Sequence, residues 1–209
     1  MRSQRKTRHN FGGAVVLILS LIAIRTSSAQ DNDLVWFPKG TLTSAGNFVK
    51  YLRTSKDTYK IAWGNRHLLR TLSMYMDGAP NHFAHYKDES SSVIILERGC
   101  GMPCWYAVIL PLDSAKPSFE IEMPEAYDMR NNLIAYNGYQ DTIVWIENFH
   151  TRQRVPILGN NCGSACNIYC VDSISVNNRE LYLHYLTEYD FDKSDDQKHW
   201  ATIQKHIDF

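Results

Sequence analysis

The sequence has no surplus charge, few chain breakers and no long apolar run. Its 22 Lys and Arg residues balance 22 Asp and Glu residues over 209 positions, which excludes a strongly basic nucleic-acid binder at the level of the whole chain. Only 11 glycines and 7 prolines occur, so collagen-like and low-complexity architectures are excluded. The longest apolar stretch, Ala14 to Ile24, has eleven residues, against the roughly 20 that cross a bilayer as a helix. A Gly-x-Ser-x-Gly elbow, a phosphate loop, a His-Glu-x-x-His pair and a dinucleotide fingerprint are all missing. With them go the simplest routes to serine-hydrolase, nucleotidase, zinc-protease and dehydrogenase chemistry. After Gln30 no segment carries a long 3.6-residue apolar period, which removes amphipathic helices as the main building unit.

What is present first is an export pattern. Arg2, Arg5, Lys6 and Arg8 precede the Ala14–Ile24 run, and Ser27-Ser28-Ala29 follows it. A basic region, an apolar region and a small-x-small site in that order read as a secretory signal peptide. Residues 1–29 are therefore expected to be cleaved before Gln30, leaving 30–209 as a single secreted or periplasmic domain without a membrane anchor. Residues 1–29 hold five basic residues and no acid, so the mature chain keeps 17 basic against 22 acidic residues, a net charge of −5. Such a surface has no general attraction for nucleic acid or anionic lipid.

The mature chain is built from short β-rich runs separated by turn formers. These are Tyr59–Trp63, Leu68–Met76, Val93–Glu97, Trp105–Leu112, Phe119–Met123, Leu133–Tyr136, Thr142–Phe149, Arg154–Leu158, Tyr169–Val176, Glu180–Leu186 and Trp200–Ile207. Leu34–Phe37 and Asn47–Leu52 add two further strand candidates, and Asn177-Asn178 reads as a two-residue hairpin loop. The runs recur: Val108, Val144 and Leu181 lie 36 and 37 residues apart, and Ile94, Ile134 and Ile174 lie 40 apart. Lys60–Asn65 also resembles Leu133–Gly138, an alignment that leaves Trp63, Trp105 and Trp145 on non-equivalent strands. The expectation is an all-β domain of antiparallel meander repeats of about 36–40 residues, β-propeller-like, with a β-sandwich as the alternative.

The most specific local feature is a duplicated Cys-Gly-x-x-Cys, at Cys100–Cys104 and Cys162–Cys166. An exported chain meets oxidising conditions, so Cys100, Cys104, Cys162 and Cys166 are expected to form disulfides, within each motif or between them. The glycine after each first cysteine suits a tight turn and favours bridging within each motif. A ring that small contributes only about 2 kcal/mol through chain entropy. A four-thiolate zinc site and a thiol–disulfide redox motif are the competing readings. Redox motifs have two residues between their cysteines, whereas these have three. Cys170, in the apolar run Ile168–Val171, reads as a buried free thiol, with a disulfide in a non-motif arrangement as the second possibility.

Other chemistry-bearing residues are sparse. His67, His82 and His85 form a loose cluster read as surface or turn. Asp190, Asp192 and Asp195 start like a calcium loop but lack its glycine and final glutamate. Glu120 and Glu122 fall on one side of a strand, as a solvated β-face also would. Most aromatics read as core, while Tyr139 and Tyr189, at strand ends and loops, are candidates for a recognition surface. The sequence thus points to an exported, non-catalytic binding module without a cofactor, whose partner is an extracellular or periplasmic protein or glycan. A secreted hydrolase acting on an envelope or extracellular polymer is the alternative, and a metal or redox module built on the paired cysteine motifs is the third.

Overall fold

The structure, a computed structural model, describes residues 40–43, 45–55, 58–75, 83–101, 104–159, 170–188 and 198–209. All lie in one compact unit, Val35–Phe209. The described residues form fifteen strands and no helix, arranged as four antiparallel meander sheets. Sheet one holds β1 (Thr41–Leu42), β2 (Phe48–Arg53), β3 (Thr58–Asn65) and β4 (Leu68–Tyr75). Sheet two holds β5 (His85–Glu89), β6 (Val93–Gly101), β7 (Cys104–Pro111) and β8 (Phe119–Glu122). Sheet three holds β9 (Pro124–Asp128), β10 (Leu133–Asn137), β11 (Thr142–Asn148) and β12 (Arg154–Leu158). Sheet four holds β13 (Val171–Asn177), β14 (Glu180–Leu186) and β15 (Trp200–His206).

The all-β meander expectation holds, and each apolar run from Tyr59 onward contains a strand. Three strands escape the sequence pattern. β1 is only Thr41–Leu42, β5 reads His-Tyr-Lys-Asp-Glu and β9 opens on Pro124; all three are edge strands, while the candidate Leu34–Phe37 lies outside the described residues. An edge strand tolerates charge and an opening proline because one side of its backbone needs no partner.

The sheets pack face to face in chain order. Ile94, Leu96, Val108 and Leu110 of sheet two meet Val49, Tyr59, Ile61 and Trp63 of sheet one. The opposite face of sheet two, with Val93, Ile95, Ala107 and Ile109, meets Ile134 and Phe149 at sheet three. Sheet three in turn packs Leu133, Ala135, Val144 and Ile146 on Val176, Leu181 and Leu183 of sheet four. Continuous apolar runs such as Val93–Leu96 and Ala107–Leu110 are what a sheet covered on both faces requires. Each fully buried Ile or Leu contributes about 1.5–3 kcal/mol. Among the described residues no apolar cluster joins sheet one to sheet four.

Two tryptophans tie neighbouring sheets together. Trp63 Nε1 donates to the Pro111 carbonyl at the end of β7 (3.0 Å), and Trp105 Nε1 donates to the Pro124 carbonyl at the start of β9 (2.7 Å). Trp63, Trp105 and Trp145 all sit on the third strand of their sheets. The alignment of Lys60–Asn65 with Leu133–Gly138 is therefore corrected: β3 is a third strand and β10 a second. Ile94 and Ile134 do share second strands, and Val108 and Val144 third strands. Ile174 and Leu181 follow the same spacing on the first two strands of sheet four.

Local conformation fixes the links between sheets. Met123 joins β8 to β9 with φ of 51°. Its N–H bonds the Trp105 carbonyl (2.8 Å) and its own carbonyl accepts from Asn137 N–H (3.1 Å). A left-handed non-glycine residue costs about 1–2 kcal/mol, offset here by two inter-strand bonds and a buried side chain. Gly64 has φ of +150°, and a Cβ there would lie 1.8 Å from the Leu68 carbonyl oxygen. The β3–β4 turn therefore requires glycine.

The β13–β14 loop is Asn178-Arg179, one residue later than Asn177-Asn178, with φ of 52° and 66°. The register is set from outside the hairpin. Asp128, at the end of β9, accepts hydrogen bonds from Arg179 N–H (3.0 Å), Asn131 Nδ2 (2.8 Å) and Asn131 N–H (3.1 Å). Burial pushes the Asp128 carboxyl up, but these bonds and the Arg130 N–H hold it below its ordinary 3.8. Asp128→Ala should cost about 2 kcal/mol in urea unfolding at neutral pH, because it strips buried donors of their acceptor. Since the folded-state pKa is depressed, this stabilisation is complete above the ordinary value and is lost as pH falls through the folded one. The gap between wild type and variant should therefore narrow in strong acid.

Candidate functional site: an aromatic cleft between sheets two and three

The face of sheet three that meets sheet two starts apolar and becomes polar. Cross-strand pairing aligns Ile134, Glu147 and Arg154 in one row, and Tyr136, Trp145 and Pro156 in the next. Alternation along the strands puts both rows on the same face. Ile134 is covered by sheet two. The second row borders a cleft of about 310 Å³, closed on the other side by Ile121 of β8 and by Met123.

Tyr139 stands at the mouth of this cleft on the β10–β11 turn, 58% exposed. The turn is held by Gly138 N–H to the Ile143 carbonyl (2.9 Å) and Thr142 N–H to the Tyr139 carbonyl (3.2 Å). A Cβ on Gly138 would lie 2.1 Å from the Thr142 carbonyl oxygen, so glycine is what allows the turn to close.

Glu147 lies below the rim, 3% exposed. The Tyr136 hydroxyl donates to its Oε2 (2.9 Å). Arg152 Nε lies 2.8 Å from Oε1 as an ion pair, and Oε1, sealed from solvent, makes no further hydrogen bond. The Arg152 guanidinium also lies 3.5 Å from the Phe119 ring centre, and that of Arg154 lies 4.6 Å from the Trp145 ring centre. Burial, then the Glu147 charge, raises the Tyr136 hydroxyl above its ordinary pKa, with Arg154 partly opposing. The phenol therefore stays a donor to Glu147 across the physiological range.

Asn137 adds a second acceptor. It is 6% exposed and donates through Nδ2 to Glu125 Oε1 (2.5 Å), while Oδ1 has no hydrogen-bond partner. A carboxylate only accepts, so the amide orientation is fixed by Glu125. Burial raises the Glu125 carboxyl above its ordinary value, and the Asn137 bond partly opposes this. Leaving a buried acceptor unmatched costs about 1–3 kcal/mol, and unmatched groups of this kind are rare in folded proteins.

A larger cleft of about 360 Å³ lies at Leu72–Met74, Arg98 and Phe119–Glu120. There Arg98 and Glu120 satisfy each other through two hydrogen bonds of 3.1 and 3.0 Å. The Arg98 guanidinium rests on the Tyr106 ring, 4.6 Å from its centre. Neither buried unmatched acceptor among the described residues lines it. The cleft at Tyr139 is thus the better-equipped site despite its smaller volume.

Of the residues singled out from sequence, Tyr139 lines the cleft. Tyr189, Cys162, Cys166, His82, Asp190, Asp192 and Asp195 lie outside the described residues. Cys100 and Cys104 occupy the two arms of the β6–β7 hairpin, where Gly101 pairs with Cys104. The free-thiol reading of Cys170 is corrected: Cys170 and Cys104 are both disulfide-bonded, and Cys170 is 2% exposed against Leu186. Burial in an apolar run is equally compatible with a bridge, which is why the sequence pattern misleads here. His67 lies in the β3–β4 turn and His85 opens β5, and the described residues contain no metal-holding group of three His, Cys, Asp or Glu.

Tyr136, Asn137, Glu147, Arg152 and Arg154 were not recognisable as site residues because each falls within or beside a run that reads as ordinary strand. The usable signal was an acid inside an apolar strand, Thr142–Asn148. Iodoacetamide should label Cys170 only after reduction and unfolding, read by peptide mass mapping; labelling without reductant would contradict its bridged state. Gly138→Ala should displace Tyr139 and lower the thermal midpoint by several degrees, measured by circular dichroism. No protein-family model matches the chain, and neither a curated protein nor a solved structure does so.

Proposed function

We propose that the protein is an exported, non-catalytic binding module whose ligand occupies the Tyr139 cleft. The observation that carries this reading is the cleft itself, about 310 Å³, lined by Tyr136, Tyr139 and Trp145 beside the polar side chains of Arg152, Arg154 and Glu122. Concave sites with apolar walls and a few fixed polar atoms are the usual form of a ligand pocket. The blade-like succession of meanders, each packed on the next, supports a propeller-like architecture, and the basic-apolar-small pattern of residues 1–29 supports export.

Catalysis is the second reading, because Glu120, Glu122 and Glu147 all border the cleft. It is disfavoured by how two of these acids are used: Glu147 is engaged by Tyr136 and Arg152, and Glu120 is bonded to Arg98. Such pairings leave neither of those two carboxylates poised as a proton donor or nucleophile.

Tyr139→Ala and Trp145→Phe should keep a cooperative unfolding transition while losing at least about tenfold in ligand capture on peptide and glycan arrays. Ester, peptide and glycan turnover assays should stay at background. A reproducible hydrolysis rate abolished by a single Glu122→Gln or Glu147→Gln substitution would move the protein to the enzyme class.

A further inference from the structure

We infer that the outer face of sheet one docks on the outer face of sheet four of a second copy of this chain, head to tail. Sheets two and three are packed on both faces, whereas the apolar clusters cover sheets one and four on one face each. Strand alternation fixes what the opposite faces carry. In sheet one, Leu42, Phe48, Gly64 and Leu69 align as one cross-strand row, and Leu52, Lys60 and Ser73 as another. Leu42 and Leu69 are 77% and 70% exposed, and Leu52 is exposed as well. In sheet four, Tyr182 and Trp200 are both exposed, and the His184 ring stacks on Trp200 with centres 5.1 Å apart. Five of the seven large apolar side chains exposed among the described residues therefore stand on these two end faces. With that exposure, the two faces of one chain do not cover each other.

Charge makes the two faces complementary. Residues 40–75, which build sheet one, hold six Lys and Arg against the single acid Asp57, a net of +5. Residues 170–209, which build sheet four and its connections, hold eight acids against four Lys and Arg, a net of −4. Lys50 and Lys60 stand exposed on the outer face of sheet one, with the Lys50 ammonium 5.4 Å from the Phe48 ring centre. The described outer-face residues of sheet four include Glu180 and no Lys or Arg. Opposite fields favour joining unlike faces and oppose the pairing of either face with itself. An anionic lipid surface would attract the leucines and lysines of sheet one but gives no role to the aromatic face of sheet four. A second copy covers both. One face of three or four strands, about 4.8 Å apart and about 20 Å long, offers roughly 300–400 Å², so a single contact is weak. Unlike faces close into a ring where the rotation between copies allows it, and two four-sheet chains then reach the upper end of the roughly 4–8 blades that propellers use.

The test is sedimentation velocity of the mature chain from low to high micromolar concentration. The expected result is a mass that rises with concentration to two chains or more, with the association weakened at least about tenfold between about 50 and 500 mM salt as the facing charges are screened. Two variants separate the faces. Leu69→Glu with Lys50→Glu disables sheet one, and Tyr182→Lys with Trp200→Ala disables sheet four; all four side chains are exposed, so circular dichroism should show both variants folded. Each variant alone should lose at least about tenfold in self-association. Mixing the two should restore a one-to-one pair, because one intact sheet one then meets one intact sheet four. A wild-type chain that stays monomeric at every concentration overturns the inference. So does a sheet-four variant that associates like wild type, which would mean that sheet one pairs with itself, or a mixture that forms no pair. Sedimentation with phosphatidylglycerol vesicles is the remaining arm. Vesicle binding lost in the sheet-one variant, by a chain that is monomeric in solution, assigns that face to lipid and overturns the second copy.

Discussion

Two-sided burial of the inner sheets is the constraint on which the rest of the structure depends. β6 and β7 present apolar side chains on both faces, so sheet two must be covered twice, by sheet one and by sheet three. β10 and β11 impose the same demand on sheet three, which packs against both sheet two and sheet four. A meander of alternating polarity would need only one partner and would stop at two layers. The continuous runs Val93–Leu96 and Ala107–Leu110 forbid that stop. Successive stacking is the arrangement that leaves neither face wet.

The links between sheets are polar and specific, whereas the contacts they align are not. Apolar packing is nearly indifferent to small slides of one sheet over another. The indole N–H bonds of Trp63 and Trp105 to proline carbonyls remove that freedom. Met123 and Asp128 fix the next two joints, one by a left-handed backbone bonded on both sides and one by a buried carboxylate. The cleft lies where this scheme changes. Trp145 occupies the third strand like Trp63 and Trp105, yet it pairs with Tyr136 on the face turned back toward sheet two. There it meets Arg154 and helps line an opening instead of bonding the next sheet.

Much of the fold was legible from residue pattern because strand formation is local. Period-two and fully apolar runs located most strands, and the 36–40-residue recurrence caught the meander unit. β1, β5 and β9 escaped because edge strands need no long apolar run to hold their place. The hairpin loop shifted from Asn177-Asn178 to Asn178-Arg179 because a carboxylate 51 residues away receives the Arg179 N–H. Turn propensity does not see such a partner. The site was less visible for the same reason: Tyr139 has a turn context of its own, but Glu147 gains significance only from Tyr136 and Arg152 folded around it.

The sequence by itself determined an all-β chain of meander units, with strands placed by short-range alternation that neighbouring residues dictate. It also carried the duplicated cysteine motif, though not the bridged state of Cys170. Tertiary structure alone decided which acids are buried, which guanidiniums are spent on rings and carboxylates, and which acceptors are left without donors. Those properties depend on distance and solvent exclusion between residues far apart in the chain. Hydrogen-bond balance is a property of a packed neighbourhood, so it appears only when sheet two meets sheet three.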